Sequence, residues 1–173
     1  MPIQICLLGS IPKGDETRKN WVDWKIKYKE VLGAISGVSF VDGDAWREES
    51  KPELTFGHDV YQIKQSDIII VNAENKLGAG TAQEMVIAKY LKKPVISVLP
   101  KNSHHRRSDV VFDGETIKDW IHPFILAFSD AIVENISESL DWVSKFANHP
   151  TKVKGIEVID DAIGLFEKYL EQK

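Results

Sequence analysis

The sequence predicts an α/β protein, a single doubly wound three-layer sandwich built on a parallel sheet of about five strands. Short apolar runs alternate with segments of helical periodicity along the chain, as in folds where each strand is followed by a helix. The runs at 3–9 (IQICLLG) and 67–73 (DIIIVNA) are continuous rather than alternating, which is typical of strands buried on both faces. At 173 residues the chain has the length of one domain with a sizeable core.

The individual elements follow from local patterns. Strands are predicted at 3–9, 38–43, 67–73, 93–100 and, as an edge strand, 130–135. Helices are predicted at 21–35, 58–66, 81–92, 137–147 and 156–171, with a further one near 120–128 that His122-Pro123 begins or interrupts. The polar segments 44–56, 101–109 and 149–155 are predicted to be loops or linkers. This order of elements predicts a flavodoxin-like or Rossmann-like sandwich.

The composition excludes several classes of protein. A net charge of −4 and a pI near 5.7 argue against a general binder of nucleic acid or of anionic membranes. The one cysteine, Cys6, cannot form an intramolecular disulfide. The N-terminal residues lack the features of a signal peptide and no apolar run approaches the roughly 20 residues of a membrane span, so a cytoplasmic location is expected. Neither a metal nor a cofactor is expected, because the adjacent His104 and His105 have no paired acids nearby.

Ligands of open parallel sheets bind at the carboxyl ends of the strands. The candidate site is therefore formed by the loops 9–16, 42–56, 72–80 and 100–109. Within them, GAGTAQEMVIA (78–88) joins a strand to a helix and carries Gly78, Gly80 and Glu84. Glycines there allow a ligand to approach the backbone, but an ordinary turn followed by a glutamate that favours the helix dipole fits equally. The spacing matches neither a dinucleotide fingerprint nor a P-loop.

Other polar residues fall at the same predicted edge. Ser10, Lys13 and the backbone near Gly14 could hold a phosphate, or could form a plain turn. Asp67 is expected to bond locally, whereas Asp59, near the start of its predicted helix, either faces the cleft or pairs with the helix dipole.

Two further groups lie in the second half of the chain. The basic run 104–107 is either a solvated loop or a lid over a phosphorylated substrate. The aromatic group at Trp120, His122 and Phe124 is expected in the core or at a subunit interface.

Three segments together resemble a known family. They are GSIPKG after the first strand, HDVYQIKQSDIIIVNA, and GTAQEMVIAKYLKKPVI. Their residues, order and spacing resemble the nucleoside 2-deoxyribosyltransferase superfamily, which includes the 2′-deoxynucleoside 5′-phosphate N-hydrolases. The resemblance covers about residues 3–100 and implies one domain of this type over 1–173, in which 101–173 is less certain. It also implies a homodimer or larger homo-oligomer and a small nucleoside or nucleotide as substrate, with no cofactor, nucleic acid or membrane.

The resemblance implies roles for particular residues. Glu84 takes the position of the glutamate that attacks the anomeric carbon, and Asp59 that of the aspartate linked to proton transfer at the base. The small-residue loops would bind the sugar and, in the hydrolases, its 5′-phosphate. The residues implied to bind substrate are Gly9, Ser10, Ile11, Lys13, Gly14, Gly78, Gly80 and Thr81.

The chain departs from the family pattern at two places. Cys6 stands where many relatives have a tyrosine that holds the nucleophile, and Tyr28 or Tyr61 are the nearby substitutes. Gly78 stands where transferases usually carry an aspartate that contacts the 5′-hydroxyl. The missing carboxylate is compatible with a 5′-phosphate substrate, which a carboxylate would repel.

Three hypotheses therefore remain open at the level of sequence. The first is cleavage of the N-glycosidic bond of a nucleoside or its 5′-monophosphate, with the sugar passing to water or to a second base. The second, supported by Cys6, is a nucleotide-binding module that has kept the pocket and lost the chemistry. The third is a phosphoribosyl hydrolase, which is disfavoured because the PGGxGT motif of that group is absent.

Overall fold

The computed structural model describes residues 2–41, 44, 50–148 and 152–173. Its strands are β1 (Ile3–Gly9), β2 (Val38–Val41), β3 (Ile68–Asn72), β4 (Val95–Val98), β5 (Arg106–Phe112), β6 (Glu115–Ile121) and β7 (Ala131–Val133). Five of them form a parallel sheet in the order β2-β1-β3-β4-β7. This sheet, with helices on both faces, confirms the predicted α/β sandwich, and β7 is the predicted edge strand.

The helices are α1 (Asp15–Arg18), α2 (Trp24–Leu32), α3 (Pro52–Gln65), α4 (Ala79–Tyr90), α5 (Pro123–Phe128), α6 (Ser139–Asn148) and α7 (Val158–Glu171), with a 3₁₀ turn at Ile136–Glu138. The main correction concerns α3, which begins at Pro52 rather than at residue 58. Proline at the first helical position has a suitable φ and no N–H to lose, so it starts a helix inside the segment predicted as a loop. Asp59 consequently lies in the middle of α3. Predicted positions 42–43, 45–49 and 149–151 lie outside the described residues.

The segment predicted as a basic loop, 101–109, is also corrected. From Arg106 onward it is the first strand of an antiparallel hairpin formed by β5 and β6. Arg106 is buried at the base of this hairpin, where its guanidinium donates to both carboxylate oxygens of Asp119 at 2.8 and 2.9 Å and to the Leu99 carbonyl at 3.2 Å. The pattern predicted a loop because neither strand is apolar enough to signal burial.

The side chains of the central strands alternate between two cores. From β1, Ile5 and Leu7 pack with α2 and α6 on one face, while Cys6 and Leu8 pack with α3, α4 and α5 on the other. Burial of each such aliphatic side chain contributes about 1.5–3 kcal/mol, so the continuous apolar runs that predicted the strands also hold the two helical layers.

The strand order defines where a crevice opens. The chain passes from β1 to β2 on one side of the sheet and then returns to β3 on the other side of β1. The connections at the carboxyl ends of β1 and β3 therefore leave in opposite directions, which is the switch point where ligands of such sheets bind.

Candidate active site

A cleft of about 300 Å³ opens at the carboxyl ends of β1 and β3. It is lined by Cys6, Leu7, Leu8, Gly9, Ser10, Ile11, Lys13, Asp44, Thr55, Asp59, Gln62, Gly78, Gly80, Thr81 and Glu84. The structure thus brings together every site residue implied by the sequence except Gly14. Gly14 lies beside the cleft at the start of α1, with φ 85° and ψ 151°, a conformation open to glycine alone.

Glu84 projects into the cleft from the second turn of α4 and is half-buried. Burial, and after it the nearby Asp59, raise its pKa from 4.5 to about 7, while the ammonium group of Lys13 acts to lower it. The helix is fixed at its other end, where the buried Lys89 ammonium donates to the Asp130 carboxylate and to the Lys93 carbonyl. Glu84 is therefore a carboxylate that changes protonation state near neutral pH on a firmly held helix.

Helix α3 presents one polar face to the same cleft. Thr55, Asp59 and Gln62 follow the i, i+4, i+7 spacing that places side chains on one side of a helix. His58 touches two of these residues: its Nδ1 lies 3.3 Å from Asp59 Oδ1 and its Nε2 lies 3.0 Å from Gln62 Nε2. An Nδ1–H tautomer satisfies both contacts, because the ring then donates to the carboxylate and accepts from the amide. Asp67 is bonded within the fold but not locally: its carboxylate accepts the backbone N–H of Gln4 in β1 at 2.8 Å, which corrects the expectation of a local bond.

The loop after β1 is tightly packed where it enters the cleft. The Trp24 indole N–H donates to the Ser10 carbonyl at 3.1 Å, and the ring fills the space beside Gly9. A Cβ added at Gly9 would lie 2.6 Å from Cζ2 of Trp24 and 3.1 Å from the Cβ of Asn72. The close packing requires glycine there, which explains Gly9 structurally.

The first turn of α4 forms another part of the cleft wall. Gly78 is the N-cap residue, and no side chain within the described ranges caps the helix there. The backbone N–H groups at the start of the helix therefore remain available at a place lined by Gly78, Gly80 and Thr81. Helix N-termini of this kind favour an anion, and Lys13 lines the same cleft.

The tyrosine substitutes proposed from the sequence do not reach the cleft. Tyr28 is fully buried in the core on the opposite face of the sheet from Glu84's helix, and Tyr61 is exposed. Cys6 itself lines the cleft. Burial, followed by the charge of Glu84, raises the pKa of the Cys6 thiol to about 12, so the thiol is neutral.

Three further polar side chains line the cleft that were not singled out from the sequence: Asp44, Thr55 and Gln62. The Asp44 carboxylate accepts from two nitrogens of Arg18 at 2.8 and 3.0 Å and lies 3.6 Å from Lys25 Nζ. The signals were present, since Asp44 follows the carboxyl end of β2, and Thr55 and Gln62 repeat at helical spacing with Asp59. Asp44 and Thr55 lie in the segment 42–56 that the sequence assigned to the candidate site without singling them out, and Gln62 lies on the predicted helix 58–66.

The basic run 104–107 does not line the cleft. Arg106 is committed to its ion pair with Asp119, and the side chain of His105 contacts the loop between β3 and α4. Within the described ranges, no group of three or more His, Cys, Asp or Glu side chains is placed to hold a metal ion, and no helix has the length and apolarity to cross a membrane.

The architecture and the position of the cleft define a flavodoxin-like sandwich with a cleft at its switch point, where ligands of such sheets bind. Two solved structures share this fold across their whole length. The 2-deoxyribosyltransferase of Bacillus psychrosaccharolyticus is 19% identical, with a TM-score of 0.54 over 88% of this chain and 98% of that one. The 2-deoxyribosyltransferase of Leishmania mexicana is 16% identical, with a TM-score of 0.55 over 86% and 99%. The chain therefore has the fold of these enzymes.

A third solved structure, the CMP N-glycosidase of Clostridium botulinum, is 16% identical and covers 82% of this chain and 98% of its own, with a TM-score of 0.47. No family model matches the sequence, and no curated protein matches it.

Proposed function

We propose that the protein cleaves the N-glycosidic bond of nucleosides or their 5′-monophosphates through a covalent glycosyl intermediate on Glu84. The observation that carries the proposal is the pairing of Glu84 and Asp59 in one cleft at the switch point, with the pKa of Glu84 raised to about 7. The fold shared with solved 2-deoxyribosyltransferases supports the same reaction class. Two carboxyl groups in different environments suit a nucleophile and a proton donor.

The reaction divides into two steps. In the first, the ionised Glu84 attacks the anomeric carbon, the bond from that carbon to the base breaks, and its electron pair leaves with the base nitrogen. A proton delivered through Asp59 neutralises the departing base, while the carboxylate of Glu84 stabilises the positive charge on the sugar. In the second, water or another base attacks the same carbon, loses a proton to Asp59, and releases Glu84 as a carboxylate.

Hydrolysis of a 5′-monophosphate is the more specific form of the proposal. The first turn of α4 presents backbone N–H groups, Lys13 lines the same cleft, and Gly78 contributes no negative charge. Each of these features favours a 5′-phosphate on the sugar, which a carboxylate at the position of Gly78 would repel. Base exchange requires a second base in the cleft and is the alternative within the same reaction class.

We also propose that residues 1–173 form one domain that works as a homodimer or larger homo-oligomer. Helices α5 and α7 expose large apolar side chains, among them Leu126 and Leu170, and Phe124, Ile163 and Phe166 line one apolar groove between the two helices. Exposed apolar patches of this kind usually mark an interaction surface. Light scattering after size-exclusion chromatography tests the assembly, and a monomer at micromolar concentration would contradict it. The cytoplasmic location stays a prediction from the sequence.

The decisive experiment is a panel of nucleosides and 5′-monophosphates, ribo and deoxy, incubated with the wild type and Glu84→Ala. Free base is followed by chromatography, with and without a second base as acceptor. Glu53→Gln, an exposed substitution in the first turn of α3, serves as the matched control. Release of base from monophosphates in water that is lost only in Glu84→Ala is the expected result. Release only with an acceptor base identifies a transferase instead.

A covalent intermediate has its own measurement. Rapid quenching followed by intact-mass analysis should show the wild type heavier by one sugar or sugar phosphate, located on the peptide that contains Glu84. If a folded sample binds nucleotides but releases no base from any member of the panel, the catalytic proposal fails. The nucleotide-binding module, which the neutral thiol of Cys6 at the usual tyrosine position favours, then becomes the explanation.

A further inference from the structure

The loop between β3 and α4 is held by hydrogen bonds from three different elements. The Asn72 side chain at the end of β3 accepts the Glu74 amide at 3.1 Å. The Ser10 hydroxyl in the loop after β1 donates to the Lys76 carbonyl at 3.0 Å. The third bond comes from the second half of the chain, where His105 Nε2 accepts the Leu77 amide at 3.0 Å. This loop leads directly into the first turn of α4, so its position determines where the cleft wall lies.

His105 is built to accept that bond. Its side chain is partly buried at the base of the β5–β6 hairpin, and its ring packs edge-on against His104 at 4.6 Å and His122 at 5.6 Å between centroids. Burial, and then the neighbouring His104, His122 and Lys76, lower the pKa of His105 to about 4. The ring is neutral at physiological pH, and because Nε2 accepts, its proton resides on Nδ1.

This hydrogen bond lies next to residues that line the cleft. Leu77 immediately precedes Gly78, the N-cap of α4, and Gly78, Gly80 and Thr81 line the cleft. Losing the bond would leave the Leu77 amide without its acceptor and free the loop to shift toward solvent. A displacement of about 1 Å in a positioning element can cost on the order of 10²-fold in rate, although no reacting group has been removed.

We propose that His105 is a positioning residue, which through its bond to Leu77 holds the first turn of α4 in the geometry that receives the sugar end of the substrate. The expected effect on kcat/KM rests on the proposed function, whereas the expected effect on the position of the loop between β3 and α4 does not. In this proposal the base of the β5–β6 hairpin, which does not line the cleft, holds part of the cleft wall in place.

Three variants separate positioning from general stability. His105→Phe keeps an aromatic ring against His104 and His122 but removes the acceptor. His105→Gln returns a carbonyl acceptor at nearly the same distance from the backbone. His104→Phe changes the adjacent, exposed ring and is the matched control. We expect His105→Phe to lower kcat/KM for base release by about 10- to 100-fold, His105→Gln to recover most of that loss, and His104→Phe to leave it roughly unchanged.

Amide hydrogen exchange provides a readout that does not depend on activity. In His105→Phe, protection should fall at residues 74–80 while the β1 and β3 amides remain protected, and in His105→Gln it should return. Affinity for deoxynucleoside monophosphates, measured by calorimetry, should weaken in parallel. If the wild type releases no base, the exchange and binding results still decide the positioning role. Equal exchange in all variants, or an activity loss in His105→Phe that glutamine does not rescue, would overturn it.

Discussion

The two halves of the chain differ in what they expose. In residues 3–99 the apolar side chains of β3 and β4, and those of β1 from Ile5 to Leu8, are buried, and the polar residues at the carboxyl ends of β1 and β3 converge on one cleft. In residues 101–173, α7 has no fully buried residue, and Phe124 of α5 and Leu165 of α7 are 71% and 72% exposed. The first half concentrates polar groups inside a cleft, whereas the second exposes more of its large apolar side chains, eleven against six among the described residues.

The cleft and the exposed apolar groove are therefore formed by different parts of the chain. Among the described residues, those lining the cleft come from the first half, and those lining the apolar groove between α5 and α7 fall within 123–167. Among the described contacts, the hydrogen bond that the Leu77 amide donates to His105, at the base of the hairpin, connects the second half to the loop that leads into the cleft wall. Substitutions in the two halves should therefore separate activity from association.

The largest effect is expected from Asp59→Asn. Asparagine keeps the shape but cannot deliver a proton to the departing base, so base release should fall by about 10²- to 10⁴-fold. The loss should be much smaller for an N7-methylated guanine nucleoside or its 5′-monophosphate, because its base already carries a positive charge and leaves as neutral 7-methylguanine without protonation. The measurement is kcat/KM for both substrates by chromatography of the free base.

Asp160→Asn in α7 is the matched control for this comparison, since it makes the same change at an exposed position of the second half. Its kcat/KM should equal that of the wild type for both substrates. An equal loss for both substrates in Asp59→Asn would assign that residue to binding rather than to proton transfer.

The difference between the halves also explains what the sequence could predict. Ile68–Asn72 and Ile3–Gly9 were predicted because strands covered on both faces must be apolar throughout, and this requirement is visible in the residues themselves. The β5–β6 hairpin was not predicted, because its strands satisfy each other's backbone groups and need no apolar signal. The start of α3 was not predicted, because Pro52 lies in the polar segment 44–56, whose pattern predicts a loop.

The candidate site follows the same logic. The switch point follows from strand order, so the convergence of residues such as Ser10, Gly78 and Glu84 could be predicted once the strands were known. Asp44 and the bond from His105 depend on long-range packing between segments distant in sequence, which periodicity does not encode.

The second largest effect concerns substrate choice and uses Gly78→Asp. A Cβ at Gly78 meets only Ser10 Oγ at 3.8 Å, and its φ of −74° suits any residue, so the fold should tolerate the change. The new carboxylate would repel a 5′-phosphate, which predicts a loss of about tenfold or more in kcat/KM for monophosphates relative to free nucleosides. Gly78→Asn controls for size without charge. The same substrate preference in both variants would remove the 5′-phosphate from the proposal.

A third comparison uses two glycines of the cleft. Gly9→Ala places a methyl group 2.6 Å from the Trp24 ring and should lower the free energy of unfolding by about 1–3 kcal/mol. Gly80→Ala meets nothing within 4 Å and lies in a helix, where alanine is favoured, so stability should hold or rise slightly. Substrate affinity should nevertheless fall in Gly80→Ala if the substrate approaches this backbone closely. Urea unfolding and calorimetry with a monophosphate separate the two effects, and unchanged affinity would place the substrate elsewhere in the cleft.

The smallest effect is a change of stability with pH at Glu84. Because burial raises its pKa in the folded protein from 4.5 to about 7, the folded state holds the proton more tightly than the unfolded chain. The stabilisation from the neutral carboxyl is fully present below pH 4.5 and is lost as pH rises through about 7. Glu84→Gln, which cannot ionise, should therefore be more stable than the wild type at pH 8, by about 1 kcal/mol after allowing for solvent screening, and equally stable at pH 4. Urea unfolding at the two pH values measures this, with Glu115→Gln in the exposed hairpin as the control. Equal stability of Glu84→Gln and wild type at pH 8 would show that Glu84 is not held at an energetic cost, and would remove the link between its burial and its proposed role as nucleophile.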